Sequence, residues 1–268
     1  MSVWRPDPDH LRQALDSVLD QQFQDFELLV IEDPSDVCVA QTLATRADPR
    51  VRHVVNVERV PLAVSRNQGL ALARGEFIAI ADADDVCLPN RLAAQVAFLC
   101  AHPEVDLCGG QIEAIDGAGR SLGYRTYPCE PGRITATLRR YNPIAHPTVM
   151  ARRTALLTAS GYDVDAGSGE DYDLWSRIAR SGRVLANLPD LLVRYRLHPG
   201  STKATRLRAT LDATLRVKQR YWRANMGLRD RLRMAGERVL KWLPPSLATW
   251  LFVQCHLRDR PLSSASRA

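Results

Sequence analysis

The sequence is short of paired cysteines, aromatic residues and long apolar runs. Its six cysteines form no CxxC pair and keep no regular spacing. This pattern disfavours a disulfide framework or a cysteine zinc site and predicts isolated buried thiols in a reducing compartment. The apolar run at 247–253 is far shorter than the roughly 20 residues that span a bilayer. No GxxxxGKS or GxxxxGKT loop occurs, and the glycines near residue 119 lack the spacing of a dinucleotide fingerprint.

What the sequence does have is an ordinary globular composition and an alternation of strands and helices. Of its 268 residues, 46% are hydrophobic and 25% are charged, which suits one large domain or two closely packed ones. Apolar runs at 26–31, 51–57 and 77–81 predict buried strands with helices between them. This alternation predicts an α/β fold with a mostly parallel sheet flanked by helices. Beyond residue 106 the pattern changes to a predicted hairpin at 107–115 and 122–127.

The positive charge is concentrated in the C-terminal segment. Residues 201–268 contain 15 Lys/Arg and 4 Asp/Glu, whereas the first 200 residues contain 21 Lys/Arg and 26 Asp/Glu. A segment of this charge favours an anionic partner, either a membrane face or a nucleic acid. Its helical stripe with flanking arginines is typical of a helix in a membrane interface, and the alternative is a helix packed on the body or on another subunit. The stripe consists of Leu228, Leu232, Ala235, Val239 and Trp242.

Acidic pairs and triplets follow predicted strands and carry most of the chemical information. In open α/β sheets, ligands bind outside the carboxyl ends of the strands. Close carboxylates repel each other, and a hard divalent cation bridging to phosphate oxygens would offset that repulsion. The alternatives are a solvated acidic turn, or a cap on the helix that follows. The clusters are Glu32 and Asp33, then Asp82, Asp84 and Asp85, and in the second half Glu170 and Asp171.

Six segments in order, spread over about residues 3–203, resemble the family 2 glycosyltransferases of the GT-A fold. The similarity is greatest to bacterial exopolysaccharide and O-antigen transferases. Each segment is weakly specific alone, and the order of all six carries the resemblance. The segments are DSVLDQ (16–21), ELLVIED (27–33), SRNQGL (65–70), GEFIAIADADD (75–85), GEDYDLW (169–175) and YRLHPGS (195–201).

The resemblance implies a set of residues for a nucleotide-diphosphate sugar donor. Asp33 would bind the nucleobase, Arg66 the diphosphate and Asp82 the ribose. Asp84 would bind Mg²⁺ or Mn²⁺ bridging the diphosphate, and His198 would be a further metal or phosphate ligand. A cation and an arginine suit this reaction because negative charge develops on the leaving group. The alternatives are a surface helix for Arg66 and a loop histidine packed on proline for His198.

The resemblance implies that Asp171 is the general base for the acceptor hydroxyl. A lone carboxylate base suits direct displacement with inversion at the anomeric carbon. The helix predicted at 172–180 would favour the ionised form of a carboxylate at its start. The alternative is that Asp171 only caps this helix. For His146, lining of the acceptor pocket and burial in the core are both open.

The family resemblance also implies partners and a location. We expect a UDP-sugar donor, a glycan or lipid-linked acceptor, and a cytoplasmic enzyme that is peripheral at the inner face of the cytoplasmic membrane, where its basic tail meets anionic lipid. A homo-oligomer is compatible with the sequence. The alternatives are a nucleotidyltransferase, a non-catalytic nucleotide-sugar or glycan-binding or membrane-anchoring protein, and a nucleic-acid binder; the last lacks an aromatic-basic RNA motif.

The resemblance divides the chain into three parts. We expect a nucleotide-sugar-binding half at 1–105, an acceptor-binding half at 106–203 and a basic amphipathic helical tail at 204–268. The family begins with a full apolar strand, whereas only a few residues precede the first predicted helix here. We therefore expect either a shortened first strand or a true start upstream of residue 1.

Overall fold

A computed structural model describes residues 1–197 and 207–240 of the protein. The chain alternates strands and helices to residue 101, except at residues 77–87, where two strands follow each other, and then becomes irregular. The strands are β1 Ser2–Val3, β2 Leu28–Glu32, β3 Val51–Val55, β4 Phe77–Ala79, β5 Val86–Cys87, β6 Val105–Ile115, β7 Ser121–Arg125, β8 Met150–Arg152 and β9 Val184–Arg196. The α-helices are α1 Pro8–Leu19, α2 Val39–Ala44, α3 Leu62–Leu72, α4 Arg91–Ala101, α5 Pro131–Leu138, α6 Arg153–Thr158, α7 Glu170–Arg180, α8 Leu207–Val217 and α9 Leu228–Leu240.

Helix α1 shows how the sequence specifies an element and its orientation. Asp7 caps it by accepting hydrogen bonds from the backbone N–H groups of Asp9 and His10, both at 3.0 Å. Such a cap contributes about 1 kcal/mol. Pro8 occupies the first turn, where its missing N–H costs nothing. The buried face packs against β2 and is formed by Leu11, Ala14, Leu15, Val18 and Leu19.

The strand pairings form two sheets. Strands β1, β2 and β3 are parallel neighbours. The second sheet has the order β4-β8-β6-β9-β5, with β7 paired to β6. Only its β6–β9 pairing is parallel, and β4–β8, β5–β9, β6–β7 and β6–β8 are antiparallel. The predicted α/β class is correct, but the sheet is less parallel than predicted, because β8 inserts between β4 and β6 and runs against both.

Strand β4 leads into the acidic turn. The sequence predicted a strand over 77–81, but it ends at Ala79, two residues before the turn begins. Ile80 then donates its N–H to Val149 O at 2.9 Å, outside the regular ladder. The pairing with β8 therefore fixes the position at which residues 82–85 begin.

Helix α7 carries the second acidic pair and is anchored in the largest core cluster. Trp175 and Leu174 are fully buried there together with residues of β6, β8 and β9. Three carboxylates lie in the first turn of α7 and two arginines in its last turn, which complements the helix dipole. Gly182, with φ of +81°, follows the helix where the left-handed conformation favours glycine.

The described part of the C-terminal segment is helical, as predicted. After α8 the chain forms a π-helical stretch at Lys218–Trp222 and a short 3₁₀ turn at Arg223–Asn225 before α9. Trp222 is buried and donates its Nε1–H to Ser176 Oγ of α7 at 3.1 Å. Within the described ranges, no helix has the length and apolar character needed to cross a bilayer.

Candidate active site

Arg66, on the inward face of α3, joins two of the predicted acidic clusters. Its Nη1 donates to Glu170 Oε1 at 2.6 Å, and its Nη2 lies 3.7 Å from Asp82 Oδ1. Only 14% of its side chain and 12% of that of Glu170 are exposed. Arg66 is therefore a buried link between the turn after β4 and the start of α7, rather than part of a surface helix.

The charges around Arg66 shift several pKa values. Burial alone would raise the pKa of Asp82, but His146 and Arg66 outweigh it and hold that pKa well below its usual range. For Glu170 burial prevails, helped by the charge of Asp171 and opposed by Arg66, and its pKa is raised. The second oxygen, Glu170 Oε2, is buried and has no hydrogen-bond partner among the described residues. The site therefore combines a strongly acidic carboxyl with a buried oxygen that can accept a hydrogen bond.

His146 connects this cluster to a tyrosine. Its Nδ1 lies 3.6 Å from Asp82 Oδ2 and 3.5 Å from Arg66 Nη2. Its Nε2 is 3.1 Å from the hydroxyl of Tyr162. The same tyrosine ring lies under the Arg66 guanidinium, at 5.3 Å from its centroid. His146 is buried, which agrees with burial in the core, and its contacts are to Asp82 and Arg66 on the predicted donor side. That it lines the acceptor pocket stays a prediction.

Asp33 lies at the carboxyl end of β2 and is 6% exposed. Its Oδ1 accepts hydrogen bonds from Asn56 Nδ2 at 2.7 Å and from Ser65 Oγ at 3.2 Å. Ser65 precedes Arg66 on α3, so this helix connects Asp33 to the Arg66 cluster. The neighbouring Glu32 instead pairs with His53 across the β2–β3 ladder at 2.6 Å, which separates it from the site.

Two buried arginines hold the acidic turn by its backbone. Arg196 Nε donates to the carbonyl oxygen of Asp84 at 2.8 Å, and the Arg196 backbone N–H donates to Asp85 Oδ1 at 2.8 Å. Arg91 Nη2 donates to Ile80 O at 2.7 Å, at the start of the same turn. Asp85 does not cap the following helix, whose N-cap is Asn90. The turn is thus fixed from both ends.

Asp171 lies in the first turn of α7, next to Glu170. Its Oδ2 accepts a hydrogen bond from Asn142 Nδ2 at 2.9 Å, and its Oδ1 is 2.6 Å from the N–H of Tyr172. The N-cap of α7 is Gly169, so the alternative of Asp171 as a plain cap is wrong. A carboxylate oriented by an amide at a helix start remains a suitable base.

The geometry assembled here can be compared with known proteins. Residues 5–158 match the sequence model of the family described as "Glycosyl transferase family 2". The chain belongs to this family of glycosyltransferases. The matched region contains Asp33, Arg66, Asp82 and Asp84 and ends before α7, so Asp171 lies outside it.

The relatives of this glycosyltransferase extend further along the chain. It is 32% identical over 212 residues to the "O-antigen biosynthesis glycosyltransferase WbnJ" of Escherichia coli, an alignment that covers 77% of this chain and 82% of that protein. A similar fold occurs in S. aureus TarS 1–349 in complex with UDP-GlcNAc, with a TM-score of 0.65 and 17% sequence identity. That match covers 91% of this chain and 76% of the TarS chain. The mannosyltransferase PcManGT from Pyrobaculum calidifontis, solved with GDP-Man and Mn²⁺, is similar with a TM-score of 0.60 and 18% sequence identity. That match covers 95% of this chain and 82% of PcManGT. The predicted GT-A fold is confirmed.

Of the predicted site residues, His198 lies outside the described residues.

The site of the glycosyltransferase also contains residues that the sequence pattern did not indicate. Asn56, Asn142 and Tyr162 had no role in the sequence analysis, because each acquires one only through contacts with distant parts of the chain. Glu170 had a usable signal, since it stands beside Asp171 in a predicted acidic cluster.

Proposed function

We propose that this glycosyltransferase moves a sugar from a nucleotide-diphosphate donor, a UDP-sugar, to a hydroxyl of a glycan or lipid-linked acceptor. We propose further that the reaction needs Mg²⁺ or Mn²⁺, inverts the anomeric carbon and serves cell-surface polysaccharide synthesis at the inner face of the cytoplasmic membrane. The polysaccharide role is supported by WbnJ, which is named for O-antigen biosynthesis. The UDP donor is supported by the complex of TarS with UDP-GlcNAc.

The observation that carries the proposal is the Arg66 link. Arg66 lies within 3.7 Å of Asp82 and 2.6 Å of Glu170, and Asp171 is the next residue after Glu170. The guanidinium thus contacts a predicted donor-side carboxylate and the residue that directly precedes the predicted base. A guanidinium between carboxylates is a suitable receptor for a diphosphate, because phosphate oxygens match its bidentate geometry.

On the donor side, the proposed roles follow the positions of the carboxylates. Asp33 would accept a hydrogen bond from the nucleobase, and Asp82 would bind the ribose. Asp84, with His198, would hold the divalent cation, and carboxylate oxygens suit Mg²⁺ and Mn²⁺. When bound, the cation would stabilise the charge that develops on the leaving diphosphate. Its other ligands would come from the donor's phosphate oxygens and water, since the described residues contain no ready group of three or more His, Cys, Asp or Glu ligands.

On the acceptor side, Asp171 would take the proton of the attacking hydroxyl. Asn142 would hold its carboxylate, and the start of α7 would favour the ionised form. Direct displacement assisted by a single carboxylate base would invert the anomeric carbon. The buried Glu170 Oε2 would accept a hydrogen bond from a sugar hydroxyl, which would satisfy an otherwise unpaired oxygen.

The test is a donor screen with the full chain. Purified protein is incubated with UDP- and GDP-sugars, with Mn²⁺, Mg²⁺ or EDTA, and donor turnover is measured for the wild type, Asp84→Asn and Asp171→Asn. We expect Asp171→Asn to retain donor binding while turnover falls by about 10²–10⁴-fold, the usual contribution of a general base. We expect Asp84→Asn to lose the Mn²⁺-dependent part of donor affinity.

A matched control is Asp36→Asn, an exposed carboxylate paired with Arg5, which should be fully active. The anomeric configuration of the product, read by NMR, tests inversion. Full activity of both Asp84→Asn and Asp171→Asn would overturn the assignment of these residues. Turnover unaffected by EDTA would overturn the metal dependence.

A further inference from the structure

The outer side of helix α9 combines apolar and basic residues and is exposed. Leu228 and Leu232 are 74% and 64% exposed, which is unusual for leucines in a helix that packs on a body. At 100° per residue, these two and Ala235 fall within an arc of about 60°. Exposed arginines stand on both sides of this arc. We call this surface the leucine–arginine face; it consists of Leu228, Leu232, Ala235, Arg229, Arg231 and Arg238.

The acidic residues of α9 lie on the opposite side and are paired with the body. Asp230 is buried and accepts from Arg140 at 2.9 Å, with Arg139 at 3.4 Å. Glu237 pairs with the buried Lys218 at 2.5 Å. Because both carboxylates of the helix are turned inward, the outward side carries only positive charge. The helix is therefore docked by its polar side, and among the described residues its leucines Leu228 and Leu232 stay largely exposed.

We propose that the leucine–arginine face binds an anionic membrane surface, with α9 lying parallel to the bilayer. The leucines would enter the boundary between headgroups and acyl chains, and Arg229, Arg231 and Arg238 would contact lipid phosphates. Helices with an apolar stripe between cationic side chains bind interfaces in this way. Each arginine near an anionic leaflet contributes about 1 kcal/mol, so three of them together change binding by about 100-fold.

Other partners fit the face less well. A nucleic acid would use the arginines but would leave the exposed leucines without an apolar partner. A second copy paired through the same face would bring like charges together on both sides of the leucines. An anionic bilayer offers acyl chains to the leucines and phosphates to the arginines at the same time. Arg233 is not part of this face, because it turns to the body side, where it pairs with Glu237 at 3.3 Å and its guanidinium lies over the ring of Tyr141.

The experiment is flotation of the full-length protein with vesicles. Two vesicle types are compared, phosphatidylcholine alone and phosphatidylcholine mixed with phosphatidylglycerol. The variants are the pair Leu228→Gln with Leu232→Gln, and the triple Arg229→Gln, Arg231→Gln and Arg238→Gln. Glutamine keeps the helix propensity close to that of leucine and arginine. Matched controls are Leu157→Gln, an exposed leucine of α6, and Arg133→Gln, an exposed arginine of α5.

We expect the wild type and both controls to float with the anionic vesicles and to detach in high salt. We expect the arginine triple to bind about 100-fold more weakly and the leucine pair at least about tenfold more weakly. Circular dichroism and Mn²⁺-dependent donor turnover, which need no membrane, separate loss of binding from loss of folding. Unchanged flotation of both variants would overturn the proposal. So would equal binding to neutral vesicles, dimerisation through the face, or binding to RNA but not to lipid.

Vesicle binding is independent of glycosyl transfer, so the two proposals fail separately. A protein that floats but shows no donor turnover would contradict the proposed function alone. A protein that turns over donor but never floats would contradict the membrane proposal and the proposed membrane location, and would leave the proposed reaction unaffected.

Discussion

At the residue scale, His146 illustrates what a single side chain gains from the fold. It lies within 3.6 Å of Asp82 and of Arg66 and within 3.1 Å of the Tyr162 hydroxyl. Those partners come from three separate segments, so neither spacing nor local pattern assigns the histidine a role. We infer that His146 orders the carboxylate and the guanidinium that we propose to bind the donor, and that it acts as a positioning residue.

We predict that His146→Gln raises the donor KM about tenfold and changes kcat much less. Losing one or two hydrogen bonds of about 1 kcal/mol each would account for that change. Steady-state kinetics with the donor found in the screen would measure it. His102→Gln is the matched control, because the side chain of His102 is half-exposed and its ring contacts Glu104 and Phe98, far from the site. A fall in kcat at unchanged KM would contradict the positioning role.

At the element scale, the turn after α6 depends on one glycine. Gly161 has φ of +63°, and a Cβ at this position would lie 2.4 Å from Asn67 Oδ1. That oxygen accepts the backbone N–H of Tyr162 at 2.8 Å, so the turn, α3 and the tyrosine of the site are held together. Gly182 has φ of +81° and open space around it, which makes it a control for the backbone cost alone.

We predict that Gly161→Ala lowers the free energy of unfolding by about 2–4 kcal/mol, the sum of left-handed strain and the clash. Gly182→Ala should lose about 1–2 kcal/mol from strain alone. Urea unfolding of both variants gives the comparison, and the donor KM should rise only for Gly161→Ala. Equal destabilisation of the two would show that the contact with Asn67 contributes nothing.

Helix α9 is held by a carboxylate whose charge depends on pH. The hydrogen bond from Arg140 lowers the pKa of Asp230, against the opposing effect of burial. A pKa lower in the folded state means that the ionised group stabilises the docked helix above the ordinary aspartate pKa of about 4, and that this contribution is lost as pH falls through the folded value.

We predict that Asp230→Asn increases hydrogen exchange of residues 228–240 at pH 7, and that the docked helix loses about 1–2 kcal/mol, since both arginine partners are partly exposed. The wild type should approach the variant as the pH falls below about 4. Asp36→Asn, at a surface pair with Arg5, should behave as wild type. Protection that is unchanged in Asp230→Asn at pH 7 would contradict this role.

The elements themselves were largely predictable because their signals are local. The cap at Asp7 and the apolar periodicity of α1 lie within a few residues of each other, and the glycine after α7 ends that helix as predicted. The sheet pairing was not predictable in the same way, since β8 joins β4 and β6 across some 40 to 70 residues of chain. The two-residue strand β5 is too short to leave a periodic signal.

At the scale of the whole molecule, Arg196 joins three distant regions behind the acidic turn. It is 1% exposed and donates to Asp84 O at 2.8 Å, to Gly117 O at 3.0 Å and to Gln13 Oε1 at 2.9 Å. The cluster of carboxylates that marked the site in the sequence is therefore balanced by a buried cation from the last strand. The carboxylates form a recognisable pattern in the sequence, whereas Arg196 lies more than 100 residues further along the chain and shows no link to them there.

We predict that Arg196→Met lowers the free energy of unfolding by about 3–5 kcal/mol, because buried acceptors from three regions lose their donor at once. Arg194→Met is the control on the same strand. Its side chain is 34% exposed, pairs with Glu113 at 2.9 Å and donates to Gly119 O at 2.8 Å, so its loss should cost less, about 1–2 kcal/mol. Urea unfolding measures both, and the Mn²⁺ dependence of donor affinity should weaken in Arg196→Met, because the backbone at Asp84 is no longer fixed. Equal stability losses in the two variants would mean that the buried contacts of Arg196 contribute no more than those of the partly exposed Arg194. The acidic turn would then be held by its own local structure.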